Sequence, residues 1–132
     1  MIQTYCPEHY AIQAARTHNY QQFYQEELTM RRRLRLPPFV HLVELMVIGG
    51  AAPRVMEVAT SLGEQLRART AGSQITVVGP APHRIPRVRS TSRVCLLLKG
   101  KRVEPMVALL MKTLTPGRTY RGLPVLVDVD PL

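Results

Sequence analysis

Residues 77–99 read VVGPAPHRIPRVRSTSRVCLLLK, and the cations in this stretch are where the chain's chemistry concentrates. Arg84, Arg87 and Arg89 crowd a proline-braced loop between two apolar runs. Arg93 and Lys99 follow around the second run, and no carboxylate lies among them. Guanidinium groups without internal partners bind phosphate or carboxylate through paired N–H donors, which is binding chemistry, not bond-making. Pro80, Pro82 and Pro86 lower the conformational entropy lost when such a segment is fixed. The expected ligand is a polyanion or an acidic partner; the plain alternative is a solvated basic loop.

Groups that catalyse elsewhere are not arranged to do so here. Gly49-Gly50 lacks the spacing and the Lys-Ser/Thr end of a phosphate loop. His9, His18, His41 and His83 show no ligand spacing and read as surface or packing residues. Cys6 and Cys95 are far apart and form no CxxC pair, so neither a disulfide framework nor a metal site is expected. Cys95 reads as a small hydrophobe in a strand. Asp128 and Asp130 share a strand face that could hold a cation, although a plain strand end accounts for them. Ser90, Thr91 and Ser92 have no base beside them. No active site is expected within the chain.

The elements that must position these residues follow from composition and pattern. The chain has 132 residues, 45% of them hydrophobic, enough for one compact domain with an appended segment. Eighteen Lys+Arg against nine Asp+Glu leave a net charge of +9, a balance that favours an anionic partner. The first residues, MIQTYCPEHY, resemble no secretory signal, and no apolar run approaches the roughly 20 residues that span a bilayer, so a cytoplasmic protein with no membrane partner is expected.

Pro37-Pro38 marks a boundary, because neither residue can continue a helix. Residues 1–36 hold five of the seven aromatics and read as two helices, 8–17 and 19–35, after a segment at 2–4 too short to stand alone as a strand. The second helix has Glu26 and Glu27 early and Arg31, Arg32, Arg33 and Arg35 late, a polarity that suits the helix dipole. Residues 37–132 give a central strand at 40–48, a helix at 53–69, a short strand at 74–78, the basic loop, a strand at 93–99, a helix at 102–114 and a strand at 124–130. The order β-α-β-β-α-β predicts a ferredoxin-like α+β sandwich, with four antiparallel strands and both helices on one face. No expected strand carries an aromatic residue, so base stacking on the sheet is not anticipated.

Beyond pattern, the blocks IQTYCPEHYAI, YQQFYQEELTMRRRLRLPPF, VVGPAPHRIPRVRSTSRVCLLLKG and VLVDVDP resemble, in order, the C-terminal region of the PriA family. These are the primosomal N′ proteins, bacterial replication-restart DNA helicases. The resemblance implies that residues 1–36 are the last strand of the second helicase lobe and a helical connector, and that residues 37–132 are a ferredoxin-like C-terminal domain. It implies a parent that uses ATP, Mg and Zn and unwinds branched DNA with 3′→5′ polarity at the nucleoid. It also implies contacts with the acidic tail of single-stranded-DNA-binding protein and with other primosome proteins. The helicase motifs and the cysteine-rich zinc insertion lie upstream of the matched region, so the chain is expected to be part of a larger protein, without ATPase activity of its own.

On this reading Arg84, Arg87, Arg89, Arg93 and Lys99 contact nucleic acid, and Arg93, Thr91 and Cys95 stand where the family holds the acidic tail. The family pattern there runs Arg-aromatic-Arg-aromatic-Gln. This chain has Thr91-Ser92-Arg93-Val94-Cys95, which keeps only the second arginine and loses one bidentate carboxylate binder. Two other functions share the topology: a freestanding basic module that binds RNA or a ribonucleoprotein, and a small-ligand regulatory domain, which the basic loop disfavours.

Overall fold

The computed structural model describes residues 1–88 and 90–131, without the side chains of 85–88. Two compact units divide it, Met1–Phe39 and Val40–Leu132.

In the second unit, strand β1 (His41–Gly49) alternates fully buried Val43, Leu45 and Val47 with half-buried Leu42, Glu44, Met46 and Ile48. Apolar residues on both faces suit its central place between two partners. Gly49 ends the strand where a Cβ would meet the Val55 side chain at 2.8 Å, which lets the next helix start close against the sheet. That helix, α3 (Ala52–Thr70), has Pro53 in its first turn and buries Val55, Val58, Ala59, Leu62 and Leu66 at helical spacing. Strand β2 (Thr76–Val88) turns back into β3 (Thr91–Gly100), whose Val94, Leu96 and Leu98 are buried. Helix α4 (Val103–Thr113) buries Met106 and Leu110, and Met106 fills the space that the missing Cβ of Gly100 leaves. Strands β4 (Thr119–Tyr120) and β5 (Leu123–Val129) complete an antiparallel sheet in the order β2-β3-β1-β5-β4.

Without β4 the order is that of a ferredoxin-like sheet. One core lies between the inward faces of β1, β3 and β5 and the helices α3 and α4. The α+β sandwich expected from the sequence is therefore observed, with two corrections. The sheet has five strands, because the turn after α4 folds back through Thr115, whose N–H and hydroxyl both bond the Thr119 carbonyl. Its Tyr120 is a strand aromatic after all. It is buried in the core, donates its hydroxyl to Gln65 at 2.8 Å and offers no stacking platform on the opposite face. The second correction is that β2 runs for 13 residues, so most of the expected basic loop is strand. Prolines are tolerated there because β2 is an edge strand and pairs irregularly, with register shifts between Val78 and Ala81 and between Pro82 and Arg87.

Beyond β5, Asp130 takes a left-handed backbone (φ 50°), and its carboxylate accepts from the Leu42 N–H at 2.9 Å and meets His41 Nδ1 at 2.9 Å. Those two contacts hold its carboxyl below the usual carboxylate range, the His41 bond first. Asp130 thus closes a strand end and is not paired with Asp128 as a cation site.

The first unit holds α1 (Tyr10–Arg16) and α2 (Tyr20–Arg33), capped by the side chains of His9 and Asn19. Tyr10 stacks on Phe23 with ring centroids 6.0 Å apart and donates its hydroxyl to Glu27, which also pairs with Arg31 at 2.6 Å. Residues 2–4 form no strand: a lone extended segment has no ladder to complete. No helix among the described residues is long and apolar enough to cross a membrane.

Candidate functional site

The face of the sheet opposite α3 and α4 carries several of the residues singled out above. Along β3, Thr91, Arg93, Cys95, Leu97 and Lys99 alternate with the buried positions and so share this face. Across the β1 ladder, Arg93 stands opposite Ile48, Cys95 opposite Met46, Leu97 opposite Glu44 and Lys99 opposite Leu42. One further strand over, Leu126 faces Met46 and Asp128 faces Glu44. The surface is an apolar patch of Met46, Ile48, Leu97 and the exposed Leu126, with cations at two corners.

Arg93 is half-buried, and its Nε has no hydrogen-bond partner among the described residues. A buried N–H left unpaired is costly, so this guanidinium gains from an incoming acceptor. Lys99 is half-buried in the outer row and Arg84 is exposed on β2. Arg87 pairs with Ser92 near the hairpin end, and its side chain lies outside the described residues, as does Arg89 altogether. The structure thus brings Arg93, Thr91, Cys95 and Lys99 onto one face and leaves Arg84 on the neighbouring edge strand.

The bulge in β2 decides what else joins them. From Val78, opposite Leu97, to Ala81, opposite Cys95, β2 takes three steps while β3 takes two. The extra residue reverses the alternation, so Ala81 and His83 fall on the open face where a regular strand would have put Pro80 and Pro82. Gly79 makes the bulge: its φ is 101°, and a Cβ there would sit 2.9 Å from the Cys95 carbonyl oxygen. From α3, the Arg67 guanidinium donates to the Gly79 carbonyl and holds the bulge in place. As a result Glu44, His83 and Cys95, all half-buried, bring a carboxylate oxygen, an imidazole nitrogen and the thiol sulfur within 4.8 Å of one another. Burial, reinforced by a hydrogen bond with Glu44, pushes the Cys95 thiol up to about 12 against the pull of Arg93.

Sequence reasoning missed Glu44 and His83. The alternation of β1 could have put Glu44 on the open face. Nothing in the spacing could have given His83, because its face depends on the bulge.

Comparison with known proteins identifies the family of the chain. The family described as primosomal protein N C-terminal domain matches residues 32–132. The chain is similar to replication restart protein PriA of Bacillus subtilis, 33% identical over 114 residues, which covers 86% of this chain and 14% of that protein. It is likewise similar to PriA of Synechocystis, 34% identical over 137 residues, and of Thermotoga maritima, 32% over 131 residues; each match covers 16% of the relative. The chain therefore spans about one-sixth of the length of these relatives. A ferredoxin-like sheet entered through Pro37-Pro38 and matched over residues 32–132 leads to one assignment. The chain belongs to the family of primosomal protein N C-terminal domains.

Proposed function

We propose that this chain is the non-catalytic DNA- and partner-binding domain of a replication-restart helicase, serving fork recognition and primosome assembly. Arg93 is the observation that carries the reading. It is half-buried between Thr91 and Cys95 on the open face, and its Nε is unpaired among the described residues. Such a group binds a carboxylate or phosphate more strongly than a freely solvated cation does. The acidic tail of single-stranded-DNA-binding protein would place its carboxylates at Arg93, over the apolar patch of Met46, Ile48 and Leu97. Branched DNA would meet Arg84 on the edge strand and Lys99 on the open face, together with Arg87 and Arg89 of the same basic stretch of sequence. Unwinding, with the ATP, Mg and Zn that support it, is assigned to other parts of the parent protein, which works at the nucleoid in the cytoplasm.

Fluorescence anisotropy with a forked duplex, a structured RNA and an acidic peptide tests the reading. Arg93→Ala should cost the acidic peptide about 1.5–3 kcal/mol, the usual worth of a hydrogen bond to a charged group. Arg84→Ala combined with Lys99→Ala should weaken all DNA alike and reduce the salt slope by about 2. RNA bound as tightly as the fork would point instead to a freestanding basic ferredoxin-like RNA or ribonucleoprotein module.

A further inference from the structure

We propose that Glu44, His83 and Cys95 form a binding site for a zinc-class divalent ion on the open face of the sheet. Three donors of different kinds, from three adjacent strands, converge to within 4.8 Å of one another in half-buried surroundings. A tetrahedral ion with bonds of about 2.0–2.3 Å needs donors roughly 3.3–3.8 Å apart, so side-chain movements of about 1 Å close the site. The sulfur and imidazole select zinc or cobalt over magnesium or calcium, which prefer oxygen cages. Three protein ligands leave a fourth position for water or an anion.

Two features of the surroundings agree. Glu44 stands directly opposite Asp128, and facing like charges across an antiparallel pair is unfavourable unless a cation lies close by. Arg93, which shares this face with Lys99, lies close enough to Cys95 to favour the thiolate that would ligate the metal, while its own charge repels a dication. On binding, Cys95 gives its proton to solvent and ligates as thiolate, so thiolate and carboxylate together neutralise the dication. The site is invisible to sequence spacing because positions 44, 83 and 95 meet only through strand pairing and the Gly79 bulge.

Titration of the whole 132-residue chain with cobalt(II) tests the proposal. One cobalt per chain should bind, with a thiolate-to-cobalt absorption band and a tetrahedral visible spectrum that added zinc abolishes. Cys95→Ser should remove the band, and His83→Ala and Glu44→Gln should each weaken binding more than about 10-fold. Cys6→Ser should leave the band unchanged. No thiolate band in the unaltered 132-residue chain, or a band that survives Cys95→Ser or is lost with Cys6→Ser, would overturn the site. Circular dichroism checks folding; if Cys95→Ser unfolds, His83→Ala, on the edge strand, decides, and unchanged affinity there overturns the proposal.

Discussion

Cys95 shows how burial, reinforced by a neighbour, changes a side chain's chemistry. Its thiol is half-buried beside Glu44 and is pushed up to about 12, so in metal-free solution it is a poor nucleophile although it lies near a surface. At pH 8 its thiolate fraction is lower than that of an ordinary thiol by roughly three orders of magnitude. With chelator present, a disulfide reagent should modify the exposed Cys6 rapidly and Cys95 only on unfolding; comparable rates would contradict this environment. The linkage has a definite sign. The folded value is raised above the unfolded one, so Cys95 contributes stability below about pH 8.5 that is lost as pH climbs towards its folded value. A Cys95→Ala variant should show a flatter decline in denaturation midpoint across that alkaline range than the unaltered chain.

At the scale of elements, β2 carries the consequences. Gly79→Ala forces a side chain into a left-handed backbone and against the Cys95 carbonyl, and should cost about 2–3 kcal/mol, read as a lowered urea midpoint. The same strand marks how far the sequence could be read. The helices, β1, β3 and β5 were legible within one or two residues. In β3 and α3 the signal is the period of one-sided burial, Val94, Leu96 and Leu98 on the strand and Val55, Ala59, Leu62 and Leu66 on the helix. By contrast, β1 stood out as an apolar run and α2 by its charge polarity. β2 was not legible beyond residue 78. Its prolines and arginines have the composition of a loop, and only pairing with β3 makes them a strand. The cationic half of the site was therefore visible in the sequence. Glu44 and His83 were not, since one needed a face assignment and the other a bulge.

For the whole molecule, the two units differ in how much they bury. Ala14 is the sole buried residue described in Met1–Phe39, whereas the core of Val40–Leu132 includes Val43, Leu45, Leu62, Leu96, Leu98 and Met106. Local stability follows buried apolar contact, so hydrogen exchange should be markedly faster for amides of α1 and α2 than for those of β1 and β3. Equal protection in a monomer would show that the first unit is stabilised by more than its own packing. Charge divides in the same direction. Val40–Leu132 holds 13 of the 18 basic residues and 6 of the 9 acidic ones, a net +7, so salt-dependent binding belongs mainly to this unit.

The position of β2 at the rim of the sheet has a further effect. At the opposite rim the two-residue β4 covers only Leu123 and Pro124 of β5, so among the described residues a foreign strand could add at β2 or along the outer side of β5 beyond Val125. Pro80, Pro82 and Pro86 have no N–H to give, and two irregularities bend the ladder between them. Along β2, regular pairing with a second copy is confined to residues 76–78. The prolines that suggested a loop thus guard the β2 rim against edge-to-edge polymerisation, a protection that matters most where a basic sheet is locally concentrated.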